Sequence, residues 1–128
     1  MSKNIDFQIK ILVVDDLPAM RDLIKESLNQ LGFFNIIEAE DGRIALDLLI
    51  KDNFGLLITD WMMPNMDGLE LTIAIRNNNK LKDLKILMVT SNKEQSQISA
   101  AIKAGVDEYL LKPFTLPALK EHLNRVLY

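Results

Sequence analysis

Short apolar segments alternate with longer amphipathic segments along most of the chain. The apolar segments are uninterrupted and rich in β-branched residues, which is typical of strands buried on both faces of a parallel sheet. They predict five strands, at residues 10–14, 36–37, 56–59, 86–89 and 109–111. The alternation predicts an α/β domain with a parallel sheet and helices on both of its faces.

The segments between the strands carry apolar residues at the three- and four-residue spacing of a helix. They predict five helices, beginning near residues 18, 42, 68, 94 and 116. Pro18 stands in a first turn, Thr115 caps the last helix, and Gly32 and Gly105 act as stop signals. The residues of the fourth helix expected to face the core are Ile98, Ala101 and Ile102.

Polar residues follow four of the predicted strands, at the edge of the sheet where open α/β domains bind ligands. Asp15 and Asp16 follow the first strand, Asp60 the third, Thr90 ends the fourth and Lys112 follows the fifth. Three converging carboxylates repel one another, and a hard divalent cation relieves that repulsion. The pattern therefore predicts a Mg²⁺ site.

The same residues suit phosphoryl transfer. An aspartate can act as a nucleophile and form an aspartyl phosphate. The phosphoryl group in transit needs cations and hydrogen-bond donors around its oxygens. Lys112 and the Thr90 hydroxyl would supply them beside Asp60, and Pro113 favours a cis peptide that would direct Lys112 inward.

Other phosphate chemistries lack their motifs. Neither the P-loop pattern G-x-x-x-x-G-K-[ST] nor the dinucleotide pattern G-x-G-x-x-G occurs in the sequence. A haloacid-dehalogenase phosphatase carries a second aspartate two residues after its nucleophile, where this chain has Met62. This absence weighs against a turnover enzyme.

Composition narrows the class further. The 128 residues include no cysteine, which excludes disulfides and thiolate zinc sites. The net charge of −3 argues against nonspecific DNA binding. No signal peptide or membrane-spanning segment is recognised. We therefore expect one cytoplasmic domain over residues 1–128, with residues 1–8 as a loosely ordered N-terminal extension.

Several motifs together resemble the response-regulator receiver family, in order and from about residue 10 to residue 127. They are Val13-Val-Asp-Asp16, Asp60-Trp-Met-Met-Pro-Asn-Met-Asp-Gly-Leu-Glu-Leu71, Val89-Thr90, Ala104-Gly105 and Lys112-Pro-Phe114. The stretch after Asp60 and Glu38-Ala-Glu-Asp-Gly42 are most similar to the stand-alone chemotaxis members. The resemblance implies a flavodoxin-like, doubly wound sheet in the order 2-1-3-4-5 with five helices.

The resemblance also implies roles for individual residues. Asp60 would be the phosphoacceptor, and it would bind Mg²⁺ together with Asp15, Asp16 and the backbone carbonyl of Met62. Thr90 and Lys112 would contact the phosphoryl group. Tyr109 would be the aromatic switch residue that responds to Thr90.

As a function, the resemblance implies a response regulator of a two-component system. It would be phosphorylated by a histidine kinase of the CheA type and would bind a flagellar motor switch protein as a monomer. A phosphatase is a further possible partner, whereas DNA and membranes are not expected. Self-catalysed phosphoryl acceptance and slow autodephosphorylation would be its only chemistry.

Three alternatives stay open at this point. A receiver module of a DNA-binding regulator requires a downstream helix-turn-helix, and the sequence ends at Tyr128 without one. A small phosphohydrolase would release free phosphate in turnover. A single-domain phosphorelay carrier is compatible with the same motifs.

The chain departs from the chemotaxis pattern beside the expected site. Met62 and Asn92 stand two residues after Asp60 and Thr90, where those relatives commonly carry Asn and Glu. Pro18 and Ala19 replace hydroxyl residues at the start of the first helix. The departures concern phosphate lifetime and partner choice rather than the fold.

Overall fold

The computed structural model describes residues 5–128. Within them the chain forms a five-stranded parallel sheet in the order β2-β1-β3-β4-β5, which confirms the predicted fold. The strands are β1 Ile11–Val14, β2 Ile36–Ala39, β3 Leu56–Thr59, β4 Lys85–Thr90 and β5 Glu108–Leu111. The helices are α1 Pro18–Gln30, α2 Gly42–Lys51, α3 Gly68–Arg76, α4 Gln95–Ala104 and α5 Leu116–Leu127.

The core consists of two apolar layers, one on each face of the sheet. Successive strand side chains point to opposite faces, so Leu12 and Val14 join one layer while Ile11 and Val13 join the other. All four are fully buried. Burying a side chain of this kind contributes about 1.5–3 kcal/mol. The uninterrupted apolar run of β1 is therefore explained by helices that cover both faces.

The helix ends follow the signals in the sequence. Pro18 lies in the first turn of α1, and Thr115 caps α5 by accepting a hydrogen bond from the Ala118 amide. Gly105 ends α4 in the left-handed conformation, with a φ of 118°. One expectation was wrong: Ile102 is 49% exposed. Ala101 is fully buried, and the adjacent position lies about 100° further round the helix, toward solvent.

A single guanidinium joins three segments at the amino-terminal edge of β4 and β5. Arg76, the last residue of α3, donates to the Gly105 carbonyl from Nε at 3.1 Å and from Nη2 at 2.7 Å. Its Nη1 donates to the carbonyls of Lys82 and Leu84, and its Nη2 also contacts Asp107. Because these bonds are distributed over α3, the loop before β4 and the turn after α4, Arg76 fixes the three relative to one another.

The expected N-terminal extension falls partly outside the described residues, since these begin at Ile5. Ile5 packs against the core layer under α1 and α5, and the Phe7 ring centroid lies 4.9 Å from that of Phe33. Among the helices of residues 5–128, none combines the length and the apolar character that crossing a membrane requires.

Candidate functional site

The sheet brings the expected carboxylates together at the carboxyl ends of its central strands. Val14 pairs with Thr59 across β1 and β3, so the residues that follow them, Asp15 and Asp60, are neighbours. Asp15 is fully buried, Asp60 is partly buried and Asp16 is exposed. One carboxylate oxygen from each of the three lies within 4.8 Å of the others.

Lys112 reaches this cluster from the end of β5. Its Nζ atom lies 2.8 Å from Oδ2 of Asp15 and 3.1 Å from Oδ2 of Asp60. The Lys112 amide donates to the Thr90 carbonyl at 2.9 Å, which anchors the backbone of this lysine to β4. The Lys112–Pro113 peptide is cis, as the sequence predicted, and the lysine side chain points inward with 13% exposure.

Burial and charge act on the site in opposite directions. Burial raises the pKa of Asp60, against the lowering effect of the Lys112 ammonium, and the charge of Asp15 raises it further. Burial alone would lower the pKa of Lys112, but its hydrogen bond to Asp15 and the charge of Asp60 together raise it. The lysine is therefore a stable cation among the carboxylates.

The β3–α3 loop, residues 61–67, runs from Asp60 to α3 and turns back close to Asp60. The Trp61 amide donates to Oδ1 of Asp60 at 2.6 Å, and the Gly68 amide donates to the Trp61 carbonyl at 2.7 Å. A Cβ atom on Gly68 would lie 2.1 Å from the Asp60 carbonyl oxygen, so this position accepts only glycine. Trp61 is buried, whereas the side chain of Met62 is 69% exposed.

A second set of contacts ties the same loop to α2. Asp41 caps α2, with Oδ1 accepting from the Ile44 amide at 2.9 Å, while its Oδ2 accepts from Nδ2 of Asn65 at 2.8 Å. These two hydrogen bonds lower the pKa of Asp41. Asp41 and Asn65 lie within motifs that carry the family resemblance, but the sequence predicted no role for either side chain. An aspartate before a helix-opening glycine is a capping signal, but its partner 24 residues away leaves no local pattern.

Thr90 and Tyr109 are both hydrogen-bonded to the backbone of Asn92. The Asn92 amide donates to the Thr90 hydroxyl at 3.3 Å, and the Tyr109 hydroxyl donates to the Asn92 carbonyl at 2.6 Å. Thr90 is 2% exposed and Tyr109 is half-buried. Burial, assisted by the charge of Asp60, raises the pKa of Tyr109. The expected switch residues are thus linked, although Tyr109 lies outside the carboxylate cluster.

The donor set fits a hard divalent cation. Asp15, Asp16 and Asp60 offer oxygen atoms from three carboxylates, and Asp16 is open to solvent, which leaves room for the water ligands that Mg²⁺ retains. Lys112 neutralises part of the same negative charge. Met62 contributes to the expected ligand set only through its backbone, and its exposed side chain is directed away from the protein interior.

Comparisons with known proteins agree with this geometry. The model of the response regulator receiver domain matches residues 11–124. The chemotaxis protein CheY of Pseudomonas aeruginosa is 48% identical over 118 residues, which are 92% of this chain and 95% of that protein. The crystal structure of Vibrio cholerae CheY4 superposes with a TM-score of 0.86 at 33% identity, covering 94% of this chain and 99% of the other.

A third relative is the receiver domain of a sensor histidine kinase from Pseudomonas aeruginosa, whose structure has a magnesium ion coordinated in the active site cleft. It superposes with a TM-score of 0.85 at 28% identity and covers 94% of this chain and 98% of its own. The family model spans nearly all of the chain, and the CheY relative is similar over almost its whole length. The chain belongs to the response regulator receiver domain family.

Proposed function

We propose that this chain is the chemotaxis response regulator of a two-component system and accepts a phosphoryl group on Asp60 in a Mg²⁺-dependent reaction. The observation that carries the proposal is the position of Lys112, within 3.1 Å of two carboxylates that follow different strands. In this pair the partly buried aspartate carboxylate is the nucleophile, and the neighbouring ammonium group is the cation for a phosphoryl oxygen.

Asp15, Asp16, Asp60 and the Met62 carbonyl are the residues that would hold Mg²⁺. When bound, the ion neutralises negative charge on the phosphoryl oxygens. The magnesium reported in the cleft of the Pseudomonas aeruginosa kinase receiver domain supports this assignment by family membership.

The reaction exchanges one bond to phosphorus for another. An oxygen of the Asp60 carboxylate attacks phosphorus while the bond to the donor breaks, and the donor leaves as a histidine nitrogen or, with acetyl phosphate, as acetate. Lys112 balances the charge that gathers on the transferred group. The Thr90 hydroxyl donates to one of its oxygens. The product is an acyl phosphate, which replaces one negative charge with about two.

The charge change would alter the surface formed by α4, β5 and α5. If Thr90 turns its hydroxyl toward the phosphoryl group, the Asn92 amide loses its acceptor, and the Asn92 carbonyl that holds Tyr109 moves with it. The phosphorylated form thereby favours one state of a pre-existing equilibrium. A nearly complete shift takes about 5.5 kcal/mol of differential stabilisation.

The chemotaxis relative supports the choice of pathway and partners. The proposed donor is a histidine kinase of the CheA type, and the proposed output partner is a flagellar motor switch protein, which the chain binds as a cytoplasmic monomer. A phosphatase is a further proposed partner, and autodephosphorylation is the only hydrolysis assigned to the chain itself.

Phosphorylation by acetyl phosphate and Mg²⁺ tests the acceptor. Wild type should gain one phosphoryl group that hydroxylamine removes, and Asp60→Asn should gain none. Asp67→Asn is a matched control, since it removes a carboxylate from the same loop while asparagine still caps α3. Label that persists in Asp60→Asn would contradict the assignment.

Capture of partners with and without beryllofluoride tests the output. We expect a flagellar motor switch protein to be retained only in the presence of beryllofluoride, a mimic of the phosphoryl group. Retention of a histidine phosphotransfer protein in its place would instead identify a phosphorelay carrier.

A further inference from the structure

The contact between Asp41 and Asn65 joins two elements that are far apart in sequence. Asp41 is only 4% exposed, yet both of its carboxylate oxygens are occupied, one by the α2 backbone and one by the Asn65 amide. A buried carboxylate is costly unless hydrogen bonds compensate it, and here one of the two compensating donors comes from the β3–α3 loop. The position of Asn65 is therefore coupled to the start of α2.

Asn65 also adopts a backbone conformation that few residues tolerate. Its φ is 67°, which makes it the non-glycine residue with positive φ among residues 5–128. Asparagine is one of the side chains that enters the left-handed region at low cost. The sharp turn at Asn65 directs the loop back toward α3. The hydrogen bond from the Asn65 side chain to Asp41 stabilises this turn.

A backbone contact runs parallel to the side-chain contact. The Gly42 amide donates to the Met66 carbonyl at 3.0 Å, next to the Asp41–Asn65 bond. A Cβ atom on Gly42 would lie 2.6 Å from that oxygen, so the approach requires glycine. The beginning of α2 thus fixes two consecutive residues of the β3–α3 loop.

The fixed residues lie three and four positions after Met62, whose carbonyl is a proposed ligand of Mg²⁺. The position of a backbone carbonyl ligand is set by the conformation of its loop, because the carbonyl has no side-chain torsions of its own. The start of the loop is tied to Asp60 through the Trp61 amide, and its end is tied to the Trp61 carbonyl through the Gly68 amide. The contacts with Asp41 and Gly42 fix its middle.

We infer that Asp41 is a positioning residue for the metal site and that, through Asn65, it holds the β3–α3 loop in the shape that presents the Met62 carbonyl to Mg²⁺. This inference rests on the proposed function, since it concerns the same ion. Asp41 is not among the acidic residues that converge in the carboxylate cluster. Its effect is on affinity, exerted through the loop.

Mg²⁺ titration of three variants tests the inference, with the emission of Trp61, the single tryptophan, and calorimetry as readouts. Asn65→Gly removes the side-chain bond but keeps a residue suited to positive φ. The double variant Asp41→Asn/Asn65→Asp exchanges amide and carboxylate at the same net charge, so that the new amide can still cap α2 and donate to the new carboxylate. Thr115→Ala is the matched control, because it removes a helix cap remote from the loop.

Asn65→Gly should bind Mg²⁺ about 10-fold more weakly than wild type, at the lower end of the range typical of outer partners that orient metal ligands. The double variant should recover an affinity within about twofold of wild type, as expected for a restored bond. Thr115→Ala should lose thermal stability with its Mg²⁺ affinity unchanged.

Two results would overturn the inference: wild-type affinity in Asn65→Gly, or affinity in the double variant as weak as in Asn65→Gly. A loss of affinity in Thr115→Ala as large as that in Asn65→Gly would also count against it, because general destabilisation would then explain both. Absence of Mg²⁺ binding by wild type would instead contradict the proposed function.

Discussion

The Nζ atom of Lys112 lies 2.8 Å from Oδ2 of Asp15, a residue with no exposed surface. The same ammonium also contacts Asp60, so a single cation neutralises part of the charge of two carboxylates. Removing one partner of a buried ion pair is strongly destabilising because the remaining charge is left without compensation.

Lys112→Met should therefore lower the free energy of unfolding by about 3–5 kcal/mol when EDTA is present. Mg²⁺ should restore more stability to this variant than it adds to wild type, since the ion supplies the missing positive charge. Thermal unfolding with EDTA and with saturating Mg²⁺ provides the measurement. Equal stability of the variant and wild type in EDTA would show that Lys112 does not compensate Asp15.

The carboxylates should bind Mg²⁺ without phosphate, and Trp61 should report it. Trp61 is buried and directly follows Asp60 in the sequence. Binding of Mg²⁺ at the carboxylates should therefore quench or shift its fluorescence emission. Asp16→Asn should abolish the response, and since Asp16 is exposed the variant should still fold. Asp22→Asn, which removes an exposed carboxylate from α1, should respond as wild type does. Unchanged emission and no calorimetric signal in wild type would remove the main support for the metal site.

Asp60 should make the stability of the protein depend on pH in EDTA. Its pKa is raised above the ordinary value of 3.8, mainly by burial, so the folded state holds this proton more tightly than the unfolded state. Stability is therefore lost as the pH rises from 3.8 through the raised pKa. Asp60→Asn should remove that loss and stabilise the protein more at neutral than at acidic pH, as measured by denaturant unfolding.

Asp41 is a control, because its effect on stability should change with pH in the opposite direction to that of Asp60. Hydrogen bonds from Ile44 and Asn65 lower its pKa, so its contribution to stability is present above pH 3.8 and is lost as the pH falls through the lowered value. Asp41→Asn should therefore destabilise the protein more at neutral than at acidic pH. The same direction of change in both variants would contradict the pKa shifts.

Met62 should prolong the life of the acyl phosphate. Its thioether is a weak acceptor, and its exposed apolar side chain is suited to shield the phosphate rather than to orient a water molecule. We expect Met62→Asn to speed loss of phosphate by something on the order of 3- to 30-fold, or about 0.7–2 kcal/mol of barrier. Decay of the phosphorylated protein after donor removal, followed on a Phos-tag gel, is the measurement.

Asn92→Glu should change the decay less than Met62→Asn does. The Asn92 side chain, like that of glutamate, has an oxygen that can accept a hydrogen bond. Unchanged or slower decay in Met62→Asn would mean that other groups position the attacking water.

The sequence was sufficient to predict the strand ends, because Asp15, Asp60 and Lys112 each directly follow an apolar run. Asp15 and Asp60 follow adjacent strands, and the Lys112 side chain reaches both from the end of β5, two strands beyond β3. The contacts between side chains were not predictable in the same way. Lys112 and Asp15 are 97 positions apart, and their distance depends on the packing of the whole sheet.

Ile102 shows a different limit. Its spacing from Ile98 fits a helical face, yet α4 buries a narrow stripe around Ala101 and leaves Ile102 exposed. Periodicity indicates that a helix is amphipathic, but the width of the buried stripe depends on how closely its neighbours approach. The strand order came from family resemblance, since apolar runs alone do not specify which strands are adjacent.

The hydrogen bonds from the Arg76 guanidinium anchor one end of α4, so that the helix can tilt about that end. One end of this helix is fastened at Gly105, whereas the residue before its other end, Glu94, makes no side-chain capping bond. A helix of ten residues is about 15 Å long, so a tilt of about 10° around the fastened end would move the opposite end by about 2.5 Å. Displacement should therefore grow along α4 from Lys103 toward Gln95, the end that adjoins Asn92 and the site.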